Sequence, residues 1–176
     1  MLFKVTLLLG ICASLAAAVP PPPKGYPTAQ ACGKCPAFWV PFQGSCYRVF
    51  GNRLDWADAE ESCKALFNKK ATGHLVSIQS EDENRFVSHL WDSSTGGSTD
   101  SSNRAYWIGL SDIAEEGTYV WSDSDTVASY TNWKQGEPNN AGNEDCGHVT
   151  KSNDEILLWN DTECYHTLSF VCELPQ

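Results

Sequence analysis

Basic side chains are scarce in this 176-residue chain, where 12 Lys and Arg stand against 22 Asp and Glu and give a formal net charge of −10 at pH 7. A surplus of acidic groups repels phosphate backbones, which argues against a nucleic acid partner. After the N-terminal segment, no run approaches the ~20 apolar residues that a membrane-spanning helix needs. The sequence therefore predicts neither nucleic acid binding nor a membrane span.

Catalytic motifs are also lacking. The four histidines form no H-E-x-x-H pair, and no Ser or Cys lies in a recognisable nucleophile motif. The neighbouring acids Glu144 and Asp145 could in principle serve glycoside hydrolysis, but in an acidic, Asn-rich segment they are better explained as ligands of a cation. We predict that the protein is not an enzyme.

Residues 1–18 have the pattern of a secretory signal peptide. Lys4 precedes an apolar stretch over residues 5–15, and Ala16-x-Ala18 resembles a cleavage site. We expect this segment to be removed and the mature protein to be secreted into the extracellular space. The next segment, residues 19–34, contains the run Pro20 to Pro23 and little to bury, so we expect an extended tether.

Eight cysteines in an exported chain indicate disulfides and not catalytic thiols. Cys12 leaves with the signal peptide, and Cys32 lies in the tether, where no core is expected to cover it. The other six could pair in fifteen ways by arithmetic alone. We expect Cys32 to form an interchain disulfide; the alternatives are a small-thiol adduct or a bond to another protein.

Oxygen-bearing side chains crowd the run from Glu137 to Cys146 and recur in Trp159-Asn160-Asp161. Calcium takes about six to eight oxygen ligands from carboxylates, amides, carbonyls and water, and it tolerates irregular geometry. No cluster of softer ligands accompanies these residues, which makes zinc and copper poorer candidates. The candidate ligands of one calcium ion are Glu137, Asn139, Glu144, Asn160 and Asp161.

Two segments have helical periodicity, and each is preceded by a capping residue. Asp55 is the predicted N-cap of the first helix, and Ser80 with Glu83 forms a predicted capping box for the second. The apolar positions of the first helix are Trp56, Ala59, Cys63 and Leu66. Those of the second are Phe86, Val87, Leu90 and Trp91. The sequence therefore predicts two helices in the first half of the domain.

Short apolar or alternating segments predict strands at 38–42, 47–50, 105–108, 119–121, 146–150, 157–159 and 170–173. Residues 93–103 are rich in Ser, Thr and Gly and predict a solvated loop. Two helices followed by short strands indicate an α+β fold. Four tryptophans are predicted to lie in the core or to anchor loops: Trp107, Trp121, Trp133 and Trp159.

Four motifs occur in a fixed order: W-I-G-L at 107–110, E-P-N at 137–139, E-D-C at 144–146 and W-N-D at 159–161. In these motifs and in its cysteine spacing the chain resembles the C-type lectins, in particular secreted invertebrate members with one carbohydrate-recognition domain. The resemblance runs from about residue 35 to 173 and implies that the domain occupies 35–176. It implies two helices, short antiparallel sheets and a long calcium-binding loop, with the disulfides Cys35–Cys46, Cys63–Cys172 and Cys146–Cys164.

The resemblance also implies which residues bind metal and sugar. The primary calcium ligands, which would bind carbohydrate as well, are Glu137, Asn139, Glu144, Asn160 and Asp161. An auxiliary calcium site is implied at Asp112, Glu116, Asn140, Glu144 and Asp145. Asn140 stands where an Asp is common in the family, so this second site should be the weaker one. A cis peptide bond before Pro138 is expected to aim Glu137 and Asn139 at one point.

The order of Glu137 and Asn139 resembles the mannose-type tripeptide and predicts mannose, glucose, N-acetylglucosamine or fucose as the ligand. Some members with Glu-Pro-Asn accept galactose by turning the sugar over, and others bind protein, mineral or ice. We expect glycans of cell surfaces or glycoproteins as partners, in innate immunity or agglutination. Because some secreted invertebrate members join protomers through an N-terminal cysteine, Cys32 predicts a disulfide-linked homodimer.

Overall fold

Residues 35–95, 104–151 and 157–176 are described by the computed structural model, and all of them fall within one unit of the chain that begins at residue 33. The predicted signal peptide, the tether and Cys32 lie outside the described residues. So does most of the predicted loop over residues 93–103. Among the described residues, no helix is long and apolar enough to cross a membrane.

The first helix, α1 (Trp56–Lys64), begins where its N-cap was predicted. The carboxylate of Asp55 accepts a hydrogen bond from Asp58 N at 2.8 Å, which satisfies one of the amides that the first turn leaves unpaired. The helix buries Ala59 and Cys63 against the sheet. Local capping predicted where this helix starts, but the helix ends at Lys64, so the predicted position Leu66 lies outside it.

The second helix, α2 (Glu81–Thr95), starts after Ser80, whose hydroxyl accepts from Glu83 N at 3.3 Å. The predicted capping box is only half formed. Instead of returning to Ser80 N, the Glu83 carboxylate accepts from Gln79 N at 2.8 Å and from the Tyr47 hydroxyl at 2.6 Å. A buried tyrosine on another element thus draws this carboxylate away from the local motif.

The C-terminal end of α2 corrects the predicted loop, because the helix continues through Thr95. The hydroxyls of Ser93 and Ser94 donate to the carbonyl of Leu90, and the Thr95 hydroxyl donates to the carbonyl of Trp91. Such bonds to the preceding turn let Ser and Thr remain helical in spite of their modest helix propensity.

Within the described residues the strands form one eight-stranded sheet in the order β1-β2-β8-β4-β6-β7, with β3 on β8 and β5 on β4. The pairs are antiparallel except for β4 with β8, which run parallel, so the expectation of antiparallel sheets was incomplete. The strand bounds are β1 Val40–Phe42, β2 Ser45–Leu54, β3 His74–Leu75, β4 Ala105–Ser111, β5 Val120–Trp121, β6 Cys146–Lys151, β7 Leu157–Thr162 and β8 Leu168–Pro175.

One strand, β3, was not predicted from the sequence. It has only two residues, too few to show alternation, and it pairs with β8. Its position is set from outside: the Glu60 carboxylate of α1 accepts from Leu75 N at 2.8 Å and contacts the His74 ring at 2.8 Å. Long-range bonds to one buried carboxylate therefore place this strand.

The predicted tryptophans lie where expected. Trp107, Trp121 and Trp159 are buried, and Trp133 is partly buried against the cluster that contains Trp121 and Trp159. Trp159 meets the rings of Trp121 and Trp133 edge-on at 5.8 Å each, and its indole N–H donates to Asn84 Oδ1 at 2.9 Å. Buried indoles of this kind supply much of the packing energy and need a polar partner for the N–H.

Three disulfides join Cys35 to Cys46, Cys63 to Cys172 and Cys146 to Cys164, which are the pairs that the resemblance implied. The second ties α1 to β8, and the third ties the start of β6 to the turn between β7 and β8. On the chain-entropy account each contributes about 3 to 5 kcal/mol to stability. Two helices, one sheet and these disulfides confirm the predicted α+β fold.

Candidate functional site

The loop over residues 134–145, hereafter the site loop, is anchored to β7. Lys134 N donates to the carbonyl of Trp159 at 2.8 Å, and Glu137 N donates to the carbonyl of Lys134 at 2.9 Å. Gly136 has a φ of +93°, a left-handed conformation that glycine adopts without strain. The Glu137–Pro138 peptide bond is cis, as the resemblance implied. These contacts therefore fix the backbone at the beginning of the E-P-N motif.

Asp161 of β7 brings the W-N-D motif to the site loop. Its side chain is fully buried, with 0% exposure, and its carboxylate accepts from Asn139 N at 3.1 Å and from Asn140 N at 2.8 Å. Charge-assisted bonds of this kind are stronger than neutral ones. Residues 21 or 22 positions apart in the sequence are therefore held in direct contact.

The other predicted primary ligands on the site loop are linked to one another. The side-chain amide of Asn139 donates to the Glu137 carboxylate, while the Glu144 carboxylate accepts from Ala141 N at 3.1 Å. Glu144 N in turn donates to Asn140 Oδ1 at 2.7 Å. These bonds fold the loop back on itself.

Asn160 differs from the other predicted primary ligands. It lies on β7 next to Asp161, and its side-chain amide donates to the backbone carbonyl of Asp161. The hydrogen bonds therefore join Glu137, Asn139, Glu144 and Asp161 into one network and attach Asn160 to it through the strand.

The predicted auxiliary ligands meet where β4 ends. Asp112 N donates to the carbonyl of Asp145 at 3.1 Å, and Asp112 Oδ2 accepts from Gly117 N at 2.8 Å. The other carboxylate oxygen, Asp112 Oδ1, is buried without a hydrogen-bond partner. Glu116 is exposed on the same turn, and Asn140 Oδ1 is occupied by the amide of Glu144. Asp112 is thus the best-placed member of this set.

Two of these carboxyl groups, those of Asp112 and Glu144, have raised pKa values. Burial raises the pKa of Asp112, and the charges of Asp145 and Asp161 add to the rise. Burial also raises the pKa of Glu144; the hydrogen bond from Ala141 N opposes the rise, and the charges of Asp161, Glu163 and Glu137 add to it. Neighbouring carboxylates, whose negative charges raise one another's pKa, are stabilised by a cation placed among them.

These residues fit a hard cation better than a soft one. Across residues 35–95, 104–151 and 157–176, no three side chains of His, Cys, Asp or Glu stand together as a metal cluster. The predicted donors are instead a mixture of carboxylate and asparagine oxygens, the set that calcium accepts and that zinc does not favour. The unpartnered buried oxygen of Asp112 is an acceptor still in need of a ligand.

Several residues near the site were not found from the sequence. The Tyr119 hydroxyl lies 3.4 Å from both the Glu144 carbonyl and Asp161 Oδ2. Thr162 Oγ1 and His166 Nδ1 are 3.0 Å apart in the turn that follows W-N-D. Tyr119 carries no motif signal, but the polar run after Asp161 could have drawn attention to this turn.

The family model described as Lectin C-type domain matches residues 52–174. The alpha-N-acetylgalactosamine-specific lectin of Patiria pectinifera is 38% identical over 149 residues, covering 80% of this chain and 83% of the relative. Echinoidin of Heliocidaris crassispina is 35% identical over 150 residues, covering 81% of this chain and 98% of the relative.

Among solved structures, the C-type lectin CEL-I of Cucumaria echinata superposes with a TM-score of 0.70 at 29% identity, covering 80% of this chain and 97% of that one. The matched region contains both helices, strands β3 to β7, all but the last residue of β8, and the site loop. A family model over most of the chain, relatives above 30% identity and a shared fold lead to one conclusion. The chain belongs to the C-type lectin family.

Proposed function

We propose that this protein is a secreted, calcium-dependent lectin that binds carbohydrate of the mannose type through Glu137, Asn139, Glu144, Asn160 and Asp161. The observation that carries the proposal is the buried Asp161 carboxylate, which holds the backbone of Asn139 and Asn140 against β7. This clamp joins the W-N-D motif to the end of the E-P-N motif and supports a site shared with E-D-C. The family is one of carbohydrate-binding domains and not of enzymes, and the protein is not an enzyme.

The side chains divide recognition between acceptors and donors. The carboxylates of Glu137 and Glu144 would accept hydrogen bonds from sugar hydroxyls, while the side-chain amides of Asn139 and Asn160 would donate hydrogen bonds to them. Each amide has two N–H bonds, so the one that Asn139 donates to Glu137 leaves a second for a ligand. The five residues Glu137, Asn139, Glu144, Asn160 and Asp161 would hold calcium, which would supply a positive charge that attracts sugar hydroxyl oxygens. Every hydroxyl then has both a donor and an acceptor.

The auxiliary calcium set is proposed at Asp112, Glu116, Asn140, Glu144 and Asp145. Asp112 supports it most directly, because its unpartnered oxygen is buried beside the backbone of Asp145. Asn140 weakens it, since a neutral amide replaces a carboxylate and its oxygen already accepts from Glu144 N. We therefore propose that this site stabilises the loop and binds more weakly than the primary one.

Mannose-type specificity rests on the order of Glu137 and Asn139, which sets the positions of acceptor and donor. A galactose-type ligand is the second candidate, because the relative from Patiria pectinifera is named for alpha-N-acetylgalactosamine. The exposed neighbour Ala141 offers no ring for stacking a sugar that has turned over. That absence favours the mannose type.

Affinity chromatography tests this proposal. We expect the mature protein to bind mannose-agarose in calcium, to elute with free mannose, and to fail to bind in chelator. The matched control is the double variant Glu137→Gln with Asn139→Asp, which exchanges the donor and acceptor order and should transfer retention to galactose-agarose. Retention of the wild type on galactose alone would favour the second candidate, and retention on neither column would favour a protein, mineral or ice ligand.

We also propose that the mature chain is a homodimer joined through Cys32. The three described disulfides pair six cysteines within the chain, and Cys32 is the remaining cysteine after the signal peptide. Non-reducing electrophoresis should show a species of about twice the monomer mass that collapses with reductant. The variant Cys32→Ser should run as a monomer and keep its affinity for a monosaccharide. A wild type that runs only as monomer would contradict the dimer.

A further inference from the structure

The turn between β7 and β8 holds an aromatic ring in solvent on a fixed backbone. Tyr165 is 70% exposed. The turn around it is closed by the disulfide of Cys164, by a hydrogen bond from Trp56 N to the Cys164 carbonyl at 3.0 Å, and by one from His166 N to the Glu163 carbonyl at 3.1 Å. A rigidly held aromatic side chain loses little conformational entropy when it binds a ligand.

Tyr165 forms one wall of an open depression of about 460 Å³, a volume within the range of roughly 300 to 1,000 Å³ typical of small-molecule sites. The opposite wall is the end of the site loop. The lining residues are Gly142, Asn143, Asp145, Glu163, Cys164 and Tyr165.

The depression adjoins the proposed sugar site. Ala141 N donates to the Glu144 carboxylate at 3.1 Å, on the side of the primary ligands. The next residue, Gly142, faces the depression, and a Cβ atom placed on it would lie 3.9 Å from Glu163 Oε1. Two consecutive residues of the site loop therefore separate the two sites, so a ligand longer than one sugar can extend from the first into the second.

The lining favours a neutral, hydroxyl-rich ligand. The nearest hydroxyls to the Glu163 carboxylate, those of Tyr165 and Thr162, lie at 3.5 Å, the outer limit of a hydrogen bond. His166 Nε2 contacts Glu163 Oε2 at 3.6 Å, so Oε1 is the carboxylate oxygen more open to ligand hydroxyls. Asp145 adds a second negative charge, so a sulfated or sialylated residue would be repelled. The ring of Tyr165, set edge-on to His166 at 4.9 Å, offers an apolar face to the C–H side of a pyranose.

We propose that this depression is a second sugar subsite, in which Tyr165 stacks against the neutral sugar that follows the terminal residue bound at Glu137 and Asn139. The inference rests on the proposed function, because it needs the terminal sugar to occupy the primary site. It assigns to Tyr165 and Glu163 a preference for oligosaccharides over monosaccharides.

The test compares one-sugar and two-sugar ligands by calorimetry in calcium. Methyl α-mannoside and a panel of α-linked mannobioses are titrated into the wild type, Tyr165→Ala and Tyr165→Phe. We expect at least one mannobiose to bind the wild type about 3- to 10-fold more tightly than the monosaccharide, as one stacking contact provides. Tyr165→Ala should lose this gain and keep its monosaccharide affinity, while Tyr165→Phe, which retains the ring, should keep both.

Different results would refute the subsite and the lectin function on which it rests. Equal affinities of the wild type for mannobiose and monosaccharide, or a gain that survives in Tyr165→Ala, would overturn the subsite and leave the lectin function standing. A wild type that binds neither the mannose ligands nor the corresponding galactose ligands would overturn the carbohydrate-binding function and the subsite with it. If column retention is on galactose, the same comparison is made with methyl β-galactoside and galactobiose.

Discussion

Replacing Asp161 by asparagine is expected to weaken calcium-dependent sugar binding by at least about 100-fold. The carboxylate of Asp161 is fully buried and accepts from two backbone amides of the site loop, Asn139 N and Asn140 N. An asparagine has nearly the same shape but only one acceptor oxygen, so its NH₂ group would face an amide donor. The substitution weakens the clamp, because Asn139 N also donates to Asp161 Oδ1 at 3.2 Å, and it removes one negative charge from the proposed calcium site.

Two measurements check this expectation. Calorimetric titration with methyl α-mannoside in calcium gives the loss of sugar affinity directly. Thermal unfolding with and without calcium gives the loss of metal binding, because a ligand that binds only the folded state raises the unfolding midpoint. The wild-type midpoint should rise in calcium, and that of Asp161→Asn should not rise at the same concentration.

The matched control is Asp58→Asn, which makes the same chemical change at an exposed position in the first turn of α1. It should leave sugar affinity and the calcium-dependent rise in midpoint as in the wild type. Sugar affinity of Asp161→Asn within threefold of wild type would refute the clamp and, with it, the observation on which the proposed function depends.

A second large effect is expected at Glu173, where stability should fall as the pH rises. Burial raises the pKa of this carboxyl to about 7, and the negative charge of Glu83 contributes. Its Oε1 lies 3.4 Å from the Tyr47 hydroxyl, and its Oε2 accepts from Ser77 N at 3.3 Å. Tyr47 donates more strongly to Glu83 at 2.6 Å, so Glu173 is the less well satisfied of the two acids.

The sign follows from proton linkage. Because the folded pKa of Glu173 is higher than that of the unfolded chain, the folded state binds the proton more tightly between about pH 4.5 and pH 7. Its contribution to stability is complete below the unfolded value and is lost as the pH rises through the folded value. The change over this window is about 3 kcal/mol. Ser45 opposes the rise through a hydrogen bond, and Asp123 adds to it.

The variant Glu173→Gln isolates this contribution. The wild type should lose about 3 kcal/mol of unfolding free energy relative to this variant when the pH rises from 5 to 8, because the amide of the variant cannot ionise. Urea unfolding of both proteins at both pH values, in chelator so that calcium linkage is absent, measures the difference. Glu115→Gln, at an exposed position, is the control and should follow the wild type at both pH values. A stability difference independent of pH would exclude this explanation.

The two helices illustrate how far local sequence patterns reach. Asp55 caps α1 as predicted, because the cap bonds to an amide only three residues away. Glu83 does not complete its capping box, because the Tyr47 hydroxyl, 36 residues away in the sequence, competes for its carboxylate. The two-residue strand β3 has too little sequence to form a pattern, and the buried Glu60 carboxylate places it.

By itself the sequence determined the family, the cysteine pairs through that resemblance, the core tryptophans and the candidate ligands, because each depends on residue types at fixed spacing. Only the tertiary structure decided how Asp161 holds the site loop, how Glu163 and Tyr165 come to line a depression beside it, and why the pKa of Glu173 rises. These features depend on burial and on contacts between strands distant in the chain. Periodicity and motif spacing carry no information about such distances, which are set when β7, the site loop and the Cys146–Cys164 disulfide pack together.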